Sequence, residues 1–192
     1  MSDPIELLLM LALGVGLSAA AGFRVFVPML VASMGARTGH IELAAGFDWL
    51  ASTPALVMLS CATVLEVGAY FLPFVDNALD MVAAPFAVIA GVLLTAGVIA
   101  DVSPLLQWGL AIVAGGGSAG VVQAGTTAVR AASSTFTAGL GNGALAALEL
   151  LSAIAVAVLA LLLPVLALLL LVLVGVLTLR WGARRWHGAA AG

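Results

Sequence analysis

The chain has 192 residues, 64% of them hydrophobic and only 8% charged, with 6 basic and 9 acidic side chains and a net charge of -3. A soluble domain is nearer half apolar and a quarter charged, and so few charges cannot cover a soluble surface of this size. A single cysteine (Cys61), the absence of lysine and the acidic balance exclude an internal disulfide scaffold, a disordered polyelectrolyte and a nucleic-acid binder. The expectation is an all-α integral membrane protein, a single membrane domain over residues 1–192, because the loops are too short to hold another.

The chain opens Met-Ser-Asp-Pro-Ile-Glu, acidic where a signal peptide is basic. Asp3 as cap, Pro4 at the first helical position and Glu6 three residues after the cap spell a helix start. Thr53-Pro54 and Ser103-Pro104 repeat that grammar before long apolar runs. Crossing ~30 Å of hydrocarbon takes about 20 residues, so residues 54–73 and 81–100 each make one span. Residues 5–34 and 104–134 are longer and are interrupted by small residues, at 14–22 and 115–120. Residues 145–179 would be roughly 50 Å long as one helix, so they form either a kinked helix or a hairpin turning near Pro164.

An internal repeat organises these segments. Gly16-Leu17-Ser18-Ala19 faces Gly117-Ser118-Ala119-Gly120, Leu65-Glu66-Val67 faces Leu148-Glu149-Leu150, and Pro85 faces Pro164. The pattern reads as about six membrane segments in two three-segment halves, about 1–101 and 102–181, followed by a short Arg/Trp tail at 180–192. Inverted repeats of this kind are a common transporter architecture. The first and fourth segments are expected to be broken or re-entrant at their glycine-rich stretches. Arg180, Arg184 and Arg185 put the C-terminus in the cytoplasm, with Trp181 and Trp186 at the interface. Six crossings place the N-terminus inside and Arg37 outside; re-entrant glycine-rich segments place Arg37 inside.

Arg24 is flanked by apolar sequence on both sides, where a charge costs several kcal/mol, about +2.5 to +3.5 on insertion scales, unless paired or hydrated. It reads as an anion contact or a partner for a membrane carboxylate, against snorkelling ahead of Pro28. Glu66 lies inside a span with Tyr70 one turn on; a proton carrier or cation ligand stands against a neutral, hydrogen-bonded glutamate. Glu149 holds the equivalent repeat position. Asp76, Asn77 and Asp80 form the densest oxygen cluster, either a cation site or a cap with first-turn acids. Ser18, Ser118, Gln123 and Thr126 are candidate polar liners if the glycine-rich breaks unwind; close helix packing is the plainer reading of those glycines. No metal motif is complete, since His40 and His187 are remote, and no nucleophile–base pair, P-loop or dinucleotide motif supports an enzyme or a cofactor.

Gly22-Phe23-Arg24-Val25-Phe26-Val27-Pro28, the run from Glu66 to Asp80, Ser103-Pro104-Leu105-Leu106, Ala114-Gly115-Gly116-Gly117 and Gly139-Leu140-Gly141-Asn142 resemble domain-of-unknown-function family 4126, a group of small bacterial inner-membrane proteins. The likeness covers nearly the whole chain. It implies a polytopic membrane protein and carries no activity with it. From the residues themselves the expected role is a small transporter or channel-like protein for an ion or small polar solute, with Glu66 and Glu149 as carboxylate sites and Arg24 balancing them. The alternative is a lipid-handling or scaffolding protein whose buried polar residues are structural. The expected partners are the bilayer and that solute, with a homo-oligomer possible.

Overall fold

The computed structural model of the chain describes residues 3–69, 73–137 and 141–189, with the side chains of 73–81, 179 and 181–189 outside that description. The described residues are mostly helical, with the long connection at 38–52 between the second and third helices. The Asp3 carboxylate accepts the Ile5 N–H at 3.1 Å and opens α1 (Pro4–Ala21). Then follow α2 (Phe26–Arg37), a 3-10 turn at Asp48–Ala51, and α3 (Thr53–Ala69). The cap of α3 is Ser52, whose hydroxyl accepts the Ala55 N–H at 3.2 Å. After α4 (Pro73–Val98), Ser103 caps α5 (Pro104–Thr137) by accepting the Leu106 N–H at 3.4 Å. The chain ends in α6 (Asn142–Leu162) and α7 (Pro164–Ala189). Among the described residues, α1, α5 and α6 are long and apolar enough to cross a membrane.

The last apolar stretch is a hairpin. Leu163 leaves the helical region (φ -140, ψ 70), as expected of a residue before proline. Its N–H still donates to Leu159 O at 2.8 Å, and its carbonyl accepts the Ala167 N–H at 3.0 Å. Leu163 therefore keeps both of its backbone groups partnered without any polar side chain, which a dry environment demands. Leu145 to Ser152 of α6 and Leu168 to Thr178 of α7 line the same cavity, so the two helices lie side by side.

The first segment is a second hairpin. A Cβ on Gly16 would sit 2.5 Å from the Ala160 Cβ, while Arg24 reaches the Ala146 carbonyl further back along α6. One segment later, Gly35 of α2 lies against Leu161. The chain thus runs along α6 from the level of 160 to that of 146 and then returns to 161. The hairpin tip is Gly22–Val25. Its N-terminus starts at the end of the bundle where α6 turns into α7, and α7 runs to the opposite end.

The first segment is broken as expected, at Gly22, the last residue of its glycine-rich stretch, whereas the break expected in the fourth segment is corrected. Helix α1 passes unbroken through Gly14 and Gly16, and its turn comes only after Ala21. Helix α5 is continuous; its glycine-rich stretch is deformed into a π turn at Ala111–Gly116 rather than opened. The cause is packing. A Cβ on Gly115 would come within 2.4 Å of Thr95 Oγ1 and 2.5 Å of Gly91 O, so these small residues let α4 and α5 touch backbone to backbone. The prolines paired by the repeat also differ in role: Pro85 lies inside α4, whereas Pro164 opens α7.

Candidate functional site

The tip of the first hairpin brings charge into the helical interior. Helix α2 begins there with N–H groups that have no partner inside their own helix, and no side chain of its own segment caps it. Glu66, reaching across from α3, supplies the cap: Oε1 accepts the Val25 N–H at 2.8 Å and Oε2 the Phe26 N–H at 3.1 Å. The positive end of the α2 dipole favours a carboxylate at that place.

On the other side of the tip stands Glu149 of α6, only 8% exposed. Arg130 of α5 grips it with two hydrogen bonds, Nε to Oε1 at 2.8 Å and Nη2 to Oε2, the bidentate geometry that makes guanidinium–carboxylate pairs strong. Arg24 Nη2 approaches Oε2 to 3.3 Å and donates to the Ala146 carbonyl at 3.0 Å. Both arginines are buried and have interactions beyond these. Arg24 thus pins the tip to α6 through its side chain, while the next two residues pin it to α3 through their N–H groups.

A cavity flanks the tip on each side. The larger, about 650 Å³, lies between α1, α5, α6 and α7, with Phe23, Ser118, Glu149, Ser152, Leu168 and Thr178 among its walls. The smaller, about 470 Å³, is bounded by Val25, Phe26, Leu65, Glu66, Val82 and Phe86. Phe23 faces one and Phe26 the other, so Phe23 to Phe26 separates two aliphatic chambers, each carrying one carboxylate.

Arg24, Glu66 and Glu149, singled out in the sequence, therefore converge. Arg24 interacts directly with Glu149, and Glu66 binds the backbone beyond it. Glu149 is buried in the ion network. Ser118 and Thr126 line the larger cavity. Ser18 is corrected from liner to core residue: fully buried, it donates to Gly91 O at 2.7 Å and so must accept the proton of Thr95 Oγ1 at 2.8 Å. Gln123 is buried on α5 and donates from Nε2 to Thr127 Oγ1 at 3.4 Å. Tyr70 lies outside the described residues, as do the side chains of Asp76, Asn77 and Asp80 at the start of α4. Among the described residues no group of three or more His, Cys, Asp or Glu could hold a metal.

Arg130 is the member of this network that the sequence reading did not single out. A signal for it exists: Ala119, Gln123 and Arg130 are the buried positions of their helix segment, spaced four and seven apart, which is one helical face. An arginine on the buried face of an apolar bundle calls for a carboxylate partner.

These features define a class: an all-helical, membrane-type protein with an ion network at the tip of an internal helical hairpin. Residues 11–184 match the family described as domain of unknown function (DUF4126), and the chain belongs to that family. No curated protein and no solved structure matches it significantly.

Proposed function

We propose that the chain is a small transporter or channel-like protein of the bacterial inner membrane for an ion or small polar solute. The observation that carries this reading is the placement of one four-residue connection between two cavities, each with a carboxylate bound to that connection. Ionisable residues at membrane depth are functional candidates by default, and discontinuous helices are how transporters build midplane sites. In this reading the first hairpin is re-entrant and α3 to α7 make five crossings. Re-entry, expected from the sequence to put Arg37 inside, therefore leaves Arg37 and the N-terminus on the side opposite the C-terminal arginines, which face the cytoplasm.

The test is proton, sodium and potassium flux in vesicles reconstituted with the purified chain. Glu66→Gln keeps the size of the side chain and removes its charge, and is expected to abolish the flux while the protein still folds. Flux identical to that of the parent chain would overturn the proposal. The aliphatic walls of both cavities favour the second reading, a lipid-handling or scaffolding protein with structural polar residues. That reading expects no ion flux from the parent chain at all.

A further inference from the structure

We infer that the cavity beside Glu149 is a binding groove for one acyl chain of a membrane lipid. The inference goes beyond the transport reading and stands without it. Four features of the groove support it. The flanking helices α5 and α7 scarcely touch each other, so the space between them opens sideways, toward where lipid tails lie if the helices span a bilayer. The floor is α1 and α6, with Val15, Ala19 and Leu148.

The wall glycines do not behave like the packing glycines elsewhere in the fold. A Cβ on Gly117, Gly125 or Gly175 would meet nothing within 4 Å, yet all three line this cavity. Close helix contact therefore does not account for them. They widen the groove.

The wall hydroxyls offer little to a hydrated solute. Ser118 donates to Gly115 O at 3.0 Å, Thr126 to Gln123 O at 2.9 Å and Thr178 to Gly175 O at 2.9 Å, each turned back on its own helix. What remains is a hydrocarbon surface with the Ser152 hydroxyl and one charged group, Glu149. That residue lies seven positions into α6, roughly 10 Å from the helix start. The groove continues from there past Ser152 and Ser118 toward Leu168, deeper into the bundle. A volume of about 650 Å³ is that of a site for one small-molecule ligand, and the profile of a polar mouth with an apolar shaft is that of an amphiphile. The lipid's polar end would sit at the mouth, near Glu149, and its tail along the glycine-lined shaft.

The experiment uses the full chain in phosphatidylcholine vesicles doped with a phosphatidylcholine carrying a photoreactive diazirine in one acyl chain. Photolabelling is expected to concentrate on residues 117–126 and 168–178, well above that of the outward-facing Val57 and Met58 of α3. Gly125→Phe and Gly175→Phe, which fill open space, should each lose that excess while melting like the parent; Gly125→Leu provides the same reading should a phenylalanine variant fail to fold. Labelling no stronger in the groove than at Val57 and Met58, or unchanged by the filling substitutions, would overturn the inference. So would disulfide bridging of two copies through a cysteine placed at Val121, a wall residue of the groove, in a chain with Cys61 replaced. Absence of ion flux from the parent chain with groove labelling intact would count against the transport reading alone, so the two proposals fail separately.

Discussion

Glu66 and Glu149 stand on opposite sides of the same hairpin tip, and they are held in opposite ways. Glu149 faces guanidinium charge, from Arg130 and Arg24. Glu66 faces peptide N–H groups at a helix start. The first arrangement is an ion pair whose desolvation is recovered only while both signs are present. The second is a helix cap, in which the partners are dipoles that a neutral acceptor can partly satisfy. A sequence repeat that sets the two glutamates in register therefore does not make them chemically equivalent: the neighbouring helices decide what each does.

The comparison can be broken most forcefully at Glu149. Glu149→Gln leaves two buried arginines without this carboxylate and should cost about 3–5 kcal/mol, read as a large fall in thermal or denaturant stability in detergent. A cost below that of the cap would mean that the arginines find their compensation elsewhere. Next in size is Gly16→Leu at the base of the first hairpin, where Ala160 leaves no room for a Cβ. Overpacking there should cost about 1–3 kcal/mol and would show how much of the hairpin is held by packing rather than by charge at the tip.

Glu66→Gln should be milder still, about 0.5–2 kcal/mol, because the amide oxygen can accept one of the two N–H groups while its nitrogen cannot accept the other. A loss as large as that of Glu149→Gln would erase the distinction between cap and ion pair. The smallest effect on stability is expected from Arg37→Cys in a chain with Cys61 replaced, since the bonds Arg37 donates to Ala51 O and Thr53 Oγ1 are exposed. Its value is topological. The α1–α2 hairpin sets Arg37 at the end of the bundle opposite to the one α7 runs toward, so an impermeant thiol reagent applied outside intact cells should label it. Protection there, with labelling after the cells are opened, would reverse the orientation.

Much of the fold was legible because it rests on local rules. Composition gave the class, Asp3-Pro4 and Ser103-Pro104 marked two helix starts, and Pro164 marked the turn between α6 and α7. The glycine runs misled, because unwinding and close packing demand the same small residues, and only the neighbours Thr95, Gly91 and Ala160 decide between them. The return of α2 along α6 was not readable either, since it depends on Gly16 and Gly35 both meeting α6, contacts more than a hundred residues apart in the chain. At the site, the cost of burying charge picked out Arg24, Glu66 and Glu149, which the structure brings to one hairpin tip. It could not pair them, and the partner it missed, Arg130, is the one that grips Glu149.

The central claim is that Arg24 pins the hairpin tip to α6 through Glu149. A double-mutant cycle of Arg24→Leu and Glu149→Gln, read by unfolding free energy, tests it most directly. The pairing predicts strong non-additivity, with Arg24→Leu recovering part of the loss caused by Glu149→Gln and a coupling energy of about 0.5–3 kcal/mol. Losses that simply add would contradict it.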